Sequence, residues 1–210
     1  MRKQIILCWL LLGSMGSMAQ KAISLAEQSA IIKQAEVSAA SITTLQCTFV
    51  QEKQMTLLNS KMVSTGSLAY KKPGKLRWAY ASPTPFVFLL DGTTVVMKSE
   101  HKKSTIDIKS SALFQEIVRI MMSSVTGKCL SDNKNFKVSI RKDNAGYIAH
   151  LIPTNKKMGQ MFRSIQLSIN PNTGIVSKVV LTEKSGDATT IYLKNIKKNI
   201  ALDENLFVVD

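Results

Sequence analysis

Hydrophobic positions near the start of the chain follow a helical period. Ser24 and Glu27 form a capping box, in which each side chain satisfies a backbone N–H at a helix start. A narrow apolar stripe with helical spacing follows, and it predicts a helix from about Leu25 to Ala40. The stripe consists of Ile31, Ala35, Ser38, Ile42 and Leu45. Its small side chains favour close packing against a sheet.

From Leu45 onward the hydrophobic period changes to two, which predicts strands. The alternating segments are Leu45–Phe49, Met62–Tyr70, Leu76–Tyr80, Phe86–Leu90, Thr94–Met97, Phe136–Ile140, Tyr147–Leu151, Ile165–Ile169, Val179–Leu181, Ile191–Leu193 and Leu206–Val208. Turn signals such as Pro73-Gly74 and Asp91-Gly92 separate them. These ten or eleven short strands at hairpin spacing predict a mainly-β fold, either a barrel or a strongly curved sheet.

A second helix is predicted after a basic loop around His101, Lys102 and Lys103. Its apolar positions are spaced by three or four, with Ser111 as N-cap and Gly127 just past the end. These positions are Leu113, Phe114, Ile117, Val118, Met121 and Val125. Two short helices cannot fill the space that so large a sheet encloses, so we expect a cavity.

The first nineteen residues have the pattern of a secretory signal peptide. Arg2 and Lys3 precede an apolar run at residues 5–12, and Ser17-Met18-Ala19 provides a small-x-small cleavage site. The apolar run is too short to span a bilayer. We therefore expect a signal peptide at residues 1–19 and a single domain at residues 20–210, exported to the periplasm.

The charge balance is strongly basic, with 28 Lys and Arg against 14 Asp and Glu among 210 residues, for a formal net charge of +14. Removal of residues 1–19, which contain two basic and no acidic residues, would lower this to +12. Such an excess favours an anionic partner. Export disfavours nucleic acid and leaves lipid headgroups or an acidic protein surface. The basic pairs along the chain are also typical of solvated faces.

Two cysteines, Cys47 and Cys129, remain after the predicted cleavage. An even count in an oxidising compartment permits a disulfide, but sequence cannot show that the two approach each other, and two buried free thiols are the favoured alternative.

Residue patterns typical of enzymes are missing. His101 and His150 have no placed partners, no Gly-x-Ser-x-Gly elbow or glycine-rich phosphate loop occurs, and no cysteine has a metal-ligand spacing. We expect no catalytic residue, no bound metal and no cofactor.

Apolar side chains of the first strands would share one face and form either a core or a pocket for acyl chains. They are Phe49, Leu68, Tyr70, Leu76, Trp78, Phe86, Phe88 and Leu90. The second helix adds Leu113, Phe114, Ile117, Met121 and Met122. Methionine and unbranched aliphatic side chains adapt their shape readily, which suits flexible chains.

A series of short motifs resembles the LolA family of periplasmic lipoprotein carriers. Phe49-Val50-Gln51 matches F-x-Q, Gly66-Ser67-Leu68 matches G-x-L, and Lys72-Pro73 precedes Arg77-Trp78-Ala79-Tyr80, followed by Pro83 and Asp91-Gly92. Looser agreement continues through Leu151-Ile152-Pro153 and residues 165–169 to Phe207. The motifs occur in order over nearly the whole chain after residue 19.

The resemblance implies an incomplete antiparallel β-barrel of about 10–11 strands, covered by a helical lid. By position, Leu76 and Trp78 would line the cavity, and Phe114, Ile117 and Met121 would belong to the lid. Many family members have arginine before the proline, where it latches the lid; here Lys72 stands in that place. Lysine lacks the planar guanidinium fork, so a bidentate latch would be weaker.

The function we expect is therefore a periplasmic carrier for the acyl chains of lipoproteins. Its implied partners are acylated lipoproteins, an inner-membrane ABC transporter of the Lol type and an unidentified outer-membrane acceptor, and the protein is expected to be a monomer. Two alternatives remain open: a LolA-like carrier of another acylated lipid, and a non-catalytic interaction or sensor module built on the same half-barrel.

Overall fold

The computed structural model describes residues 21–110, 115, 118, 122–123, 126–144 and 146–208, and the expected signal peptide lies outside them. Helix α1 spans Leu25–Ser41 and helix α2 spans Lys156–Met161; three 3-10 helices span Ile108–Ser110, Lys128–Ser131 and Glu204–Phe207. The strands are β1 (Lys21–Ala22), β2 (Thr44–Met55), β3 (Ser60–Lys71), β4 (Lys75–Ser82), β5 (Phe86–Asp91), β6 (Thr94–Ser99), β7 (Lys103–Asp107), β8 (Phe136–Asp143), β9 (Gly146–Pro153), β10 (Phe162–Ile169), β11 (Val176–Glu183) and β12 (Ala188–Lys198).

All twelve strands belong to one antiparallel sheet in the order β1-β8-β9-β10-β11-β12-β2-β3-β4-β5-β6-β7. Within the part of the chain that the structure describes, β1 and β7 are its two edges and do not pair with each other. The expected mainly-β fold with an unclosed antiparallel sheet is thus confirmed.

The central pair, β2 and β3, is held together over its whole length. Its register runs without a shift from Thr44 opposite Lys71 to Met55 opposite Ser60. Such long strands are the stable centre of the sheet, because each residue contributes to both the backbone ladder and side-chain pairing.

Helix α1 covers one face of the sheet, which we call the inner face. The Ser24 hydroxyl accepts a hydrogen bond from the Glu27 N–H, as the capping box predicts. The helix buries Ile31, Ala35 and Ser38, and Ile31 and Ala35 belong to one core cluster with side chains from both halves of the sheet. Most of the buried apolar side chains form one cluster on this face.

A smaller apolar cluster lies on the opposite, outer face, around Ala69, Leu89 and Phe207. The predicted strand at Leu206–Val208 is wrong: residues 204–207 form a 3-10 helix instead. The Asp203 carboxylate accepts a hydrogen bond from the Asn205 N–H and turns the chain there. Because of this turn, the Phe207 side chain packs against Ala69 and Leu89 on the outer face of the sheet, and the segment does not add a strand to its edge.

Two strands, β1 and β7, are missing from the sequence predictions. The sequence predicts a basic loop where β7 begins, because the segment Lys103–Asp107 contains only one large apolar residue, Ile106. As an edge strand it needs no strong hydrophobic alternation, because only one of its sides is paired.

Candidate functional site

The eight side chains predicted to line a cavity all lie on the inner face, and cross-strand register explains why. One row across the sheet pairs Phe49 with Gly66, Gly66 with Tyr80, and Tyr80 with Phe86. The next row runs Cys47, Leu68, Trp78, Phe88, and a third runs Leu45, Tyr70, Leu76, Leu90. Seven of the eight predicted side chains are buried in the main core, and Phe86 is half-buried beside it.

Three aromatic rings, those of Phe49, Tyr80 and Trp78, pack together across the first two of these rows. The ring centroids of Phe49 and Trp78 are 4.8 Å apart, and Tyr80 meets Phe49 edge-on at 5.2 Å. Gly66 makes this packing possible, since a Cβ there would lie 2.5 Å from Phe49 Cζ and 2.1 Å from the Ala79 carbonyl oxygen. The short motifs of the sequence therefore meet in space on β2, β3 and β4.

Polar atoms accompany the three aromatic rings. The Tyr80 hydroxyl donates a hydrogen bond to Gln51 Oε1 at 2.9 Å. Burial raises the pKa of Tyr80. The buried Trp78 Nε1–H has no acceptor in hydrogen-bonding geometry among the described residues.

A cavity of about 530 Å³ adjoins this face at Tyr70. Its other described lining comes from the end of the second predicted helix and the 3-10 helix that follows: Met122, Ser123, Thr126, Lys128, Cys129, Ser131 and Asp132. A neighbouring cavity of about 440 Å³ shares Tyr70, Thr126, Lys128 and Ser131 with it and reaches the end of α1 at Ala40. The sequence does not predict this polar wall, because its residues are close only in the folded chain.

Lys72 lies where the second cavity meets α1. Its Nζ donates a hydrogen bond to the Ala40 carbonyl oxygen at 2.6 Å, in the last turn of the helix. Four of the predicted lid residues, Leu113, Phe114, Ile117 and Met121, lie outside the described residues. Met122 is described, is helical and is half-buried. The latch and lid roles therefore stay predictions.

Phe86 faces a third cavity, of about 340 Å³, at the end of β4 and β5. This cavity also includes Arg77, Tyr80 and Lys98 and is separate from the one at Tyr70.

The cysteines are buried and are not joined by a disulfide. Cys47 lies on the inner face, where burial raises its pKa to about 12, so its thiol stays protonated at neutral pH. Cys129 lies in the wall of the 530 Å³ cavity.

Metal ligands are not grouped in the described residues, where no three His, Cys, Asp or Glu side chains could hold an ion together. In the same part of the chain, every helix is too short or too polar to cross a membrane.

A family model described as "Outer membrane lipoprotein carrier protein LolA" matches residues 40–210. An outer-membrane lipoprotein carrier protein from Azotobacter vinelandii is 24% identical over 69% of this chain and 66% of its own length, just under two thirds. A second protein with that description, from Methylococcus capsulatus, is 24% identical over 80% of this chain and 77% of its own length. Among solved structures, an uncharacterized conserved protein from Thermus thermophilus has a similar fold, with a TM-score of 0.53 and 10% identity over 88% of this chain and 94% of its own.

Proposed function

Because the chain belongs to the LolA family of outer membrane lipoprotein carrier proteins, we propose that it is a non-catalytic periplasmic carrier. In this proposal it binds the acyl chains of lipoproteins and moves them from the inner to the outer membrane. The relatives with the same description support the choice of cargo.

The observation that carries the proposal is the continuity between the apolar inner face and the cavity at Tyr70. Tyr70 belongs to the buried row with Leu76 and Leu90 and also lines the 530 Å³ cavity. That volume lies within the range of about 300–1,000 Å³ typical of ligand pockets. An acyl chain entering there would extend along the row and displace its present packing.

Helix α1 is suited to be the cover that such a chain displaces. Its buried side chains are mostly small: Ile31, Ala35, Ser38 and Ala39. It is also held by polar contacts, among them Ser38 Oγ donating to the Thr173 carbonyl oxygen and Gln34 Nε2 donating to that of Pro171. Small contact residues and exchangeable hydrogen bonds make partial displacement inexpensive compared with opening a core of large side chains.

Burial of apolar surface can supply the binding free energy of an acyl chain without any covalent reaction. Each methylene taken out of water contributes roughly 0.8 kcal/mol, so one long chain can outweigh the cost of opening. The protein would release its cargo when a more favourable apolar environment competes for it. The buried Trp78 N–H would gain an acceptor if an ester carbonyl of the cargo reached it.

The remaining partners follow from the family and from charge. We infer an inner-membrane ABC transporter of the Lol type as donor and an outer-membrane acceptor whose identity is open. The formal net charge, +14 for the full chain and +12 without residues 1–19, supports attraction to anionic lipid or to an acidic protein surface.

A partly filled cavity tests the proposal. Ser131 is half-buried and lines both cavities at Tyr70, so the indole of Ser131→Trp would take up part of their volume. We expect protein purified from its native host to contain acyl chains by mass spectrometry, and Ser131→Trp to lower uptake of a diacylated lipopeptide roughly tenfold.

Ser177→Trp is the matched control, because Ser177 is exposed on β11 away from the cavity. Its uptake should equal that of the wild type. Wild-type protein that neither carries lipid nor takes up the lipopeptide would overturn the carrier function. Equal uptake by both variants would place the binding site elsewhere.

Lys72→Met tests the contact that closes the end of α1. The substitution keeps the side chain's length but removes the hydrogen bond to the Ala40 carbonyl, which is worth about 1 kcal/mol. We expect a several-fold faster transfer of bound lipopeptide to acceptor vesicles, and a free energy of unfolding that is lower by no more than about 1 kcal/mol. Lys71→Met is the control, because Lys71 pairs with Glu204 on the outer face. An unchanged transfer rate in Lys72→Met would contradict a latch at this position.

A further inference from the structure

Two adjacent large apolar side chains are strongly exposed at the tip of the β2–β3 hairpin. Leu57 is 91% exposed and Leu58 is 70% exposed, and Met62 and Val63 follow at 44% and 47%. Transfer of an exposed leucine side chain out of water into an apolar environment lowers the free energy of the system. Two adjacent leucines at one tip indicate a surface with a partner.

The hairpin tip, residues 56–59, projects beyond the neighbouring strands on one side. Strand β4 pairs with β3 only as far as Ser82 opposite Thr65, so residues 60–64 of β3 continue past it. Five residues of strand correspond to about 17 Å. The leucines therefore stand clear of the β4–β7 half of the sheet.

Hydrogen bonds hold this tip in place. The Thr56 N–H donates to Asp187 Oδ1 at 2.9 Å, and the Thr56 hydroxyl donates to the Gly186 carbonyl oxygen at 2.9 Å. Within the tip, the Asn59 N–H donates to the Thr56 carbonyl oxygen. The two leucines are thus presented by a fixed turn.

Basic groups lie on the side of the tip that faces the β11–β12 turn and α2. The turn containing Asp187 also carries the exposed Lys184, whose N–H donates to the Met161 carbonyl oxygen at the end of α2. Segments 52–63, 154–163 and 183–187 together contain six Lys or Arg and three Asp or Glu. Lys53 and Lys61 pair with Glu183 and Glu52, and the carboxylate of Asp187 accepts from Thr56. The surplus of positive charge lies on the exposed Lys156, Lys157, Arg163 and Lys184.

We propose that the hairpin tip is a docking point for an anionic lipid bilayer, with Leu57 and Leu58 entering the interface and the basic groups on the β11–β12 side contacting headgroups. An apolar tip with cations along one side fits such a surface, because burial and electrostatic attraction add. A stable protein interface needs about 800 Å² from each partner, and a two-leucine tip offers far less. This inference goes beyond the carrier function and does not depend on it.

Vesicle binding by protein purified from the native host tests the proposal. We expect binding to vesicles of phosphatidylethanolamine and phosphatidylglycerol, weak binding to phosphatidylcholine, and loss of affinity as salt rises. The double variant L57S/L58S should bind roughly tenfold more weakly. Leu25→Ser is the matched control, because Leu25 is 82% exposed at the start of α1, and it should bind like the wild type.

A tryptophan reporter separates the tip from the cavity. Leu58→Trp should shift its emission to shorter wavelength on anionic vesicles, and Leu25→Trp should not. The Ser131→Trp variant, with its cavity partly filled, should still bind vesicles, so failure of cargo uptake and failure of docking are distinguishable. Absent wild-type binding, equal binding by L57S/L58S, or a wild-type dimer that this double variant converts to monomer would each overturn the proposal.

Discussion

Gly66→Ala is expected to destabilise the protein by about 3–5 kcal/mol and to lower its melting temperature by roughly 10 °C. The added methyl group would lie 2.1 Å from the Ala79 carbonyl oxygen, which belongs to the neighbouring strand and cannot move without disturbing the β3–β4 ladder. It would also lie 2.5 Å from Phe49 Cζ. Reduced chain entropy in the unfolded state offsets less than about 1 kcal/mol of this cost.

Chemical denaturation of Gly66→Ala and Gly159→Ala side by side measures the effect. At Gly159, in α2, an added Cβ meets nothing within 4 Å, so that variant should be as stable as the wild type or slightly more so. Adding Phe49→Leu to Gly66→Ala should recover part of the loss, because the shorter side chain withdraws from the new methyl group. Full stability of Gly66→Ala alone would contradict the packing described at β2–β4.

The contact between Gly66 and Phe49 also shows the limit of sequence analysis. Alternation placed Phe49, Leu68 and Trp78 on one face, because the period of two is a local property of each strand. Which residues stand opposite one another depends on the register between strands, and that is set by turn geometry and by packing of the whole sheet. The need for a glycine opposite Phe49 became visible only with the register.

The helix and most strands could be predicted because their signals are strong and local. The capping box of Ser24 and Glu27 marks the start of α1, and the observed helix, Leu25–Ser41, ends one residue beyond the predicted end. Edge strand β7 carries no such signal. The polar wall of the main cavity, including Thr126 and Ser131, comes from segments far from Tyr70 in sequence, and no spacing rule connects them.

The outer face shows the same limit at the opposite end of the chain. The alternating residues Leu206 and Val208 suggested a strand, but the cap at Asp203 produces a turn, and Phe207 becomes the buried residue. Arg77 fixes this turn by donating a hydrogen bond to the Leu206 carbonyl oxygen at 3.2 Å. The Asp203 cap therefore determines the local structure here, although Leu206 and Val208 have the spacing of a strand.

Phe207→Ala is expected to cost about 3–4 kcal/mol, since its ring is 5% exposed and is the centre of the outer cluster with Ala69 and Leu89. Lys75 Nζ lies 5.6 Å from the ring centroid, so a cation–π contact is lost as well. The ion pair between Lys71 and Glu204, whose hydrogen bond lowers the pKa of Glu204, is exposed and cannot replace the lost packing.

Val208→Ala is the matched control for Phe207→Ala, because Val208 is the next residue, is 55% exposed and should change stability by less than about 0.5 kcal/mol. Urea denaturation of both variants measures the difference. Because Phe207 lies on the face opposite the cavity at Tyr70, folded Phe207→Ala should still take up the lipopeptide with wild-type affinity. Loss of uptake by protein that remains folded would mean that the C-terminal 3-10 helix takes part in cargo binding, and that the two faces of the sheet do not act separately.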